Sequence, residues 1–336
     1  MNAKTSSCEG VFAFMRVLSV ICDIISDRKG LKEMIKKTLN LMCIAIVSFV
    51  TVFSAGCETT QEQKPLRVLM IGNSFSISCM KHIPMVAKSL GLKLDITSMY
   101  IGGCSLQRHA NNIVTNNVDF RPYRIDRNWC GMDYFTECIR NADKSLYGSG
   151  FEDLTCNNIP QMLKCGDWDV VTIQQASGYS WRPESYRPCG DLVVKTIREL
   201  APGAEIVMQQ TWSYAVGEKR LAQWGITQDE MYEKLRCAYR DIAAVYGFRI
   251  IPMGDAVQEW RKRLPVKGTE GEVVGRGKDL FHLGPAGEYF QALLWTSFLF
   301  DVDVTSCAYR PEYVSAEQAT LMKQIVKDVV KPSRLK

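Results

Sequence analysis

From Leu66 onward, short apolar runs rich in β-branched residues alternate with amphipathic segments of helical length. The runs are Leu66 to Gly72, Leu92 to Met99, Asp169 to Gln174, Glu205 to Thr211 and Phe248 to Met253. They are nearly continuous in apolar residues, as parallel strands covered on both faces must be. The helical segments are Ile77 to Leu90, Gly190 to Leu200, Gln228 to Tyr246, Ala256 to Arg263 and Ala286 to Phe300. Strand-helix alternation of this kind predicts an open parallel sheet with helices on both sides and right-handed crossovers. One stretch, Ser105 to Gly166, follows neither period and is rich in Asn, Asp, Tyr and Arg. A connection of that length inside a domain is usually functional, and it is expected over the carboxyl edge of the sheet, where open α/β sheets bind ligands.

The amino end is a different object. Lys36 and Lys37 precede an apolar run from Leu39 to Phe53, then Ser54-Ala55-Gly56-Cys57 and a polar stretch, Glu58 to Lys64. A basic start, an apolar middle and small residues at a cut site form the layout of a secretory signal. Cys57 after Ala-Gly resembles a bacterial lipobox, although Ser54 stands where an aliphatic residue is usual. The competing reading is an uncleaved membrane anchor. The expected divisions are an upstream extension (1–33), a lipoprotein signal (34–57), a tether (58–65) and one large domain (66–336). The extension holds a second apolar patch, Val17 to Ile25, broken by Asp23 and lacking a cut site, so Met34 is expected to be the true first residue. The mature protein is expected in the bacterial cell envelope, touching the membrane only through its lipid.

Bulk composition narrows the function. The 46% hydrophobic and 23% charged shares suit a globular core, and a net charge of +5 spread over 336 residues gives no basic stripe for nucleic acid. Thirteen cysteines include no C-x-x-C pair, and three histidines cannot complete a zinc-finger pattern, so a structural metal is not expected. Cys130 and Cys138 can pair on spacing alone, while most thiols are expected to be small buried hydrophobes.

Three short blocks carry chemistry. The first strand runs into Ile71-Gly72-Asn73-Ser74-Phe75-Ser76 just before a helix. A serine there has its hydroxyl at the sheet edge and its N–H at a helix start, where negative charge is favoured. A plain helix cap would also use Ser74 or Ser76. Near the other end, Asp279-Leu280-Phe281-His282 precedes Gly284-Pro285 in what reads as a Gly-flanked loop. An acid three residues before a histidine can fix the imidazole tautomer and stabilise the imidazolium. His82 and His109 have no acid at that spacing. After the second strand, Ile101-Gly102-Gly103-Cys104 allows a backbone N–H to approach an oxyanion, or simply makes a tight turn.

Taken together, these blocks resemble the SGNH (GDSL-like) hydrolase superfamily over roughly Leu66 to Asp301. Gly72 to Ser76 is similar to its first block, Gly103 to its second-block glycine and Asp279-x-x-His282 to its fifth. Trp168-Asp169-Val170-Val171, Gln174-Gln175, Thr211-Trp212 and Asp279 to Leu283 look like a largely uncharacterised bacterial branch. The resemblance implies a three-layer α/β/α sandwich with a five-stranded parallel sheet of flavodoxin-like order, closed by a carboxy-terminal helix. It implies a serine esterase with Ser74, His282 and Asp279 as triad and the N–H groups of Ser74 and Gly103 in the oxyanion hole, a mechanism that requires no metal or organic cofactor. The family's third block, Gly-x-Asn-Asp, is missing, and Gln175 is the expected replacement donor. Trp181, Trp212 and Tyr214, with Tyr179, are expected to border the site, where they would suit a sugar face or merely pack the edge. An acetyl ester on a glycan is the expected substrate. The alternatives are a glycan O-acyltransferase and a glycan-binding lipoprotein without chemistry.

Overall fold

The structure, a computed structural model, describes residues 64–117, 121–125, 158–264 and 271–334, with Arg16, Val17 and Thr38. The chain divides into two units, Met1–Gln63 and Lys64–Lys336. In the first, the three described residues are helical. The signal-like segment, Cys57, and the cysteines Cys130 and Cys138 lie outside the described residues. No helix among the described residues is long and apolar enough to cross a membrane.

The second unit is built on a six-stranded sheet in the order β3-β2-β1-β4-β5-β6. Its strands are β1 (Leu66–Gly72), β2 (Leu94–Tyr100), β3 (Arg121–Ile125), β4 (Val170–Ile173), β5 (Glu205–Gln209) and β6 (Arg249–Ile251). Five of them run parallel, with β1 between β2 and β4. That is the flavodoxin-like order implied by the resemblance. The central strand shows why: Val68, Leu69, Met70 and Ile71 are completely buried, so both faces of the strand are covered.

The sheet carries one strand more than the sequence indicates. β3 comes from the aperiodic stretch and pairs antiparallel with β2, Ile96 opposite Ile125 and Tyr100 opposite Arg121. Pro122 lies within it, and proline is tolerated at such an edge because one side of the strand needs no N–H donor.

The helices are α1 (Ser74–Ile77), α2 (Ile83–Ser89), α3 (Leu106–Thr115), α4 (Ile159–Cys165), α5 (Cys189–Leu200), α6 (Lys219–Trp224), α7 (Gln228–Tyr246), α8 (Met253–Arg263), α9 (Pro285–Phe300) and α10 (Ala316–Arg334). Two groups flank the sheet: α2, α9 and α10 pack together, as do α3, α4 and α5. Helix α9 is buried almost all round, including Tyr289, Phe290, Leu294, Trp295 and Phe298, so it is a core helix rather than an amphipathic surface one. Gly284 and Pro285 start it, proline being pre-set for the first helical turn.

A two-stranded antiparallel hairpin, β7 (Val274–Arg276) and β8 (Asp279–Leu283), lies just before α9. Asp279 and His282 therefore sit on a short strand, where the sequence indicated a loop. Among the described cysteines, Cys79, Cys104, Cys189, Cys237 and Cys307 are free thiols and Cys165 is disulfide-bonded.

Candidate active site

The turn that presents Ser74 is held by amides. Asn73 caps α1, its Oδ1 accepting from the Phe75 N–H at 3.0 Å. Its Nδ2 donates to the Cys104 carbonyl at 2.9 Å, and Gln174 Nε2 donates to its Oδ1 at 2.5 Å. One side chain thus joins the carboxyl ends of β1, β2 and β4. Beyond it, the Phe75 carbonyl accepts from Gln209 Nε2 at 2.7 Å and Gln291 Nε2 at 2.8 Å. All three glutamines are at most 1% exposed, so these bonds are made away from water, where losing one is costly. Gly72 is required by the same turn, since a Cβ there would overlap the Ser76 side chain. Ser74 is the first residue of α1, so its N–H has no acceptor within the helix.

Ser74, His282 and Asp279 come together. Ser74 Oγ lies 2.8 Å from His282 Nε2, and His282 Nδ1 lies 2.6 Å from Asp279 Oδ2. The other carboxylate oxygen, Oδ1, accepts from the backbone N–H groups of Phe281 and His282, both at 3.0 Å. Burial pushes the Asp279 carboxyl up. The His282 backbone N–H, the His282 ring and the Phe281 N–H together outweigh that and hold it below the usual carboxylate range. An ionised Asp279 accepts from Nδ1–H, which leaves Nε2 free to take a proton from Ser74.

The hairpin that carries this pair is strapped from behind. Trp212 Nε1 donates to the Phe281 carbonyl at 2.9 Å, and the Ala215 N–H donates to the Leu280 carbonyl at 2.9 Å. Trp212 also stacks on Phe75 with ring centroids 4.2 Å apart, and the Arg220 guanidinium lies 3.9 Å from the Phe281 ring centre. Phe281 in turn packs against the His282 ring at 4.1 Å.

Four residues do not occupy the places expected of them. Gln175 offers no amide to a reacting oxygen: its Nε2 donates to the Ser185 carbonyl and hydroxyl, at 2.8 and 3.1 Å. Its Oε1 accepts from the N–H groups of Leu106 and Ala176. Trp212 and Tyr214 are fully buried and act as supports, not as a sugar platform. Trp181 is half-buried, with Arg182 at 4.5 Å and Trp224 at 5.6 Å, and does not line the cleft beside Ser74. Gly103 sits in the loop after β2 with φ +61, a conformation that favours glycine, and Asn73 tethers that loop at the next residue, Cys104. Asn73 and Gln174 were not singled out from the sequence, although both stand inside the motifs quoted.

The cleft beside Ser74 measures about 230 Å³, and Ser78, Tyr100, Arg276 and Glu288 contribute to its lining along with the Ser-His-Asp array. That is below the ~300–1,000 Å³ of pockets that enclose drug-sized ligands.

A parallel sheet of this order, with a serine at the end of its first strand and an Asp-x-x-His pair before its last core helix, is the fold that the resemblance to SGNH-like hydrolases implied. The chain belongs to the DUF4886 family, a domain of unknown function whose model matches residues 67–141 and 146–329. Among solved structures, a DUF4886 family protein from Bacteroides uniformis is 25% identical, with a TM-score of 0.64 over 81% of this chain and 98% of that one. A Slackia heliotrinireducens protein proposed to be an SGNH hydrolase is 20% identical, TM-score 0.44, over 70% and 98%. A Parabacteroides merdae protein proposed to be a GDSL-like lipase is 13% identical, TM-score 0.42, over 70% and 95%. Those two scores mark a loose resemblance. No curated protein matches the chain significantly.

Proposed function

We propose that this chain is a serine esterase that hydrolyses short acyl esters, acetyl esters foremost, on glycans of the cell envelope. The observation that carries the reading is the unbroken Ser74–His282–Asp279 hydrogen-bond line, 2.8 Å and then 2.6 Å. His282 Nε2 takes the Ser74 proton as Oγ attacks the acyl carbonyl, and Asp279 stabilises the imidazolium without taking the proton. Collapse of the tetrahedral intermediate expels the alcohol, which receives that proton. Water, deprotonated by His282, then releases the acid and restores Ser74.

The N–H groups of Ser74 and Gly103 are the donors for the oxyanion. With Gln175 engaged elsewhere, a hole of two backbone donors is expected to be slower than one with a third, which is typically worth ~2.7–4 kcal/mol. The small cleft supports a short acyl group over a fatty one. The glycan part rests on location, because the signal-like segment ending at Cys57 would deliver the domain to the envelope.

A serine-directed phosphonate is the test. It should label Ser74, with labelling nearly abolished in His282→Ala and reduced only in part in Asp279→Ala, because the acid orients the base. A well-folded protein that leaves the probe unreacted and splits no aryl acetate would replace the esterase with a glycan-binding protein. In the same cells, a Cys57→Ala variant that still fractionates with membranes would remove the lipid anchor from the proposal.

A further inference from the structure

The cleft beside Ser74 contains a charge arrangement that ester hydrolysis alone does not use. Arg276, on β7, donates from Nε to the Leu283 carbonyl at 2.7 Å and from Nη2 to the Glu288 carboxylate. Glu288, in the first turn of α9, is 5% exposed and also receives Lys81 Nζ at 3.4 Å. One carboxylate is therefore shared by two cations. The other acid of the lining, Asp279, is committed to His282. Burial lowers the Lys81 ammonium, and the positive charge of Arg276 lowers it further, so the two cations stand close enough to feel each other across the shared carboxylate.

The guanidinium is also placed to do more than clamp the hairpin. Its two bonds use two of the five N–H donors of an arginine. Its side chain is 46% exposed, against 7% for that of Glu288, and both residues line the same cleft as the nucleophile. A planar fork with spare donors matches the two oxygens of a carboxylate, and a charge in a partly enclosed cleft is screened less than one on open surface.

We propose that Arg276 is a specificity-determining residue that receives an anionic group of the substrate, a carboxylate foremost, so that the preferred esters carry negative charge close to the scissile bond. This deepens the esterase reading of Ser74 and rests on it.

Two ester pairs test it and distinguish where the charge lies. Para-nitrophenyl acetate against para-nitrophenyl hemisuccinate places it on the acyl side. An acetylated methyl glucoside against the acetylated methyl glucuronoside places it on the alcohol side. In one pair at least, kcat/KM should favour the anionic member by roughly tenfold or more, the scale of a charged hydrogen bond. Arg276→Gln should bring that ratio toward one, and Arg276→Lys should restore part of it. A purely structural arginine would lower both members equally, and that result, or a preference for the neutral member in both pairs, overturns the proposal.

A second measurement separates this from the esterase reading. Calorimetry on Ser74→Ala should detect para-nitrophenyl hemisuccinate or methyl glucuronoside binding that Arg276→Gln removes. Such binding without any hydrolysis by the unmodified enzyme would sink the esterase and leave the anion site standing. Absence of Arg276-dependent binding to either probe would sink the anion site whatever the kinetics.

Discussion

Asn73 has more structural partners near the nucleophile than Ser74 itself, since its amide meets Phe75, Cys104 and Gln174. Removing it would free the Gly103 loop from the Ser74 turn and let both backbone donors drift from the reacting oxygen. Asn73→Ala is therefore expected to lower kcat on an aryl acetate by roughly a hundredfold, the scale of a 1 Å misplacement. Gln175→Ala should behave differently. It removes one hydrogen bond to α3, two to Ser185 and one to the adjacent Ala176 N–H, so it should cost ~1–3 kcal/mol of stability and change the kcat of the folded fraction little. Urea unfolding and steady-state kinetics on both variants decide the matter; a large kcat loss in Gln175→Ala with stability unchanged would return that residue to the oxyanion hole. The pair Gln174-Gln175 was legible as a motif, but not which amide serves the site. Successive side chains of a strand point to opposite faces, and the backbone leaves extended pairing after Ile173, so the loops that meet there choose.

At the scale of elements, the hairpin β7–β8 depends on a buried ion pair. Arg261, on α8, meets Glu272 at 2.9 Å with side chains 8% and 5% exposed. Arg261 also bonds Ser213, and Glu272 Oε1 accepts from the N–H groups of Val273 and Val274 at the hairpin's start. Glu272→Ala would leave a buried guanidinium without its counter-charge, at ~3–5 kcal/mol, and would loosen the strand that aims His282. Urea denaturation should show that loss together with a fall in kcat; a fall in stability with kcat intact would mean that the Trp212 and Ala215 straps hold His282 unaided. The hairpin itself was not legible. Val274-Gly275-Arg276 is too short for alternation, and Gly275 weakens it as a strand, so tertiary docking makes it one. Helices α3 and α4 escaped for a milder reason: ten and seven residues give little period, although Ser105 and Asn158 cap them in the ordinary way.

Taken as a whole, the molecule buries two histidines as neutral rings. Burial, with the Lys81 charge adding to it, takes His82 from the ordinary value of 6.5 to about 3, and the ring lies between the hydroxyls of Tyr309 and Tyr313. Burial takes His109 to about 3 as well, against an opposing backbone hydrogen bond at Gly72. Both folded values lie below the unfolded one, so between about 6.5 and about 3 the unfolded chain binds protons that the native state refuses. Stability should thus fall as pH drops through that window, each histidine adding up to ~1.4 kcal/mol per pH unit, and be insensitive to these two above it. Urea midpoints across that range check the sign, and a His82→Gln variant with an unchanged acid slope would contradict it. Neither the depth of these rings nor their neighbours could be read from a chain that shows only a histidine without a nearby acid. The sequence alone determined the parallel sheet, its core strands and the Ser, Gly and Asp-x-x-His blocks, because apolar runs and short-range spacing are local properties of the chain, while the strand order came only from the resemblance those blocks carry. The edge strand β3, the use of Trp212 and Tyr214 as supports, the role of Gln174 over Gln175 and the pairing of Arg276 with Glu288 were decided by the tertiary structure. Each of these depends on which residues meet across long stretches of sequence, and burial and hydrogen-bond partners do not exist until they do.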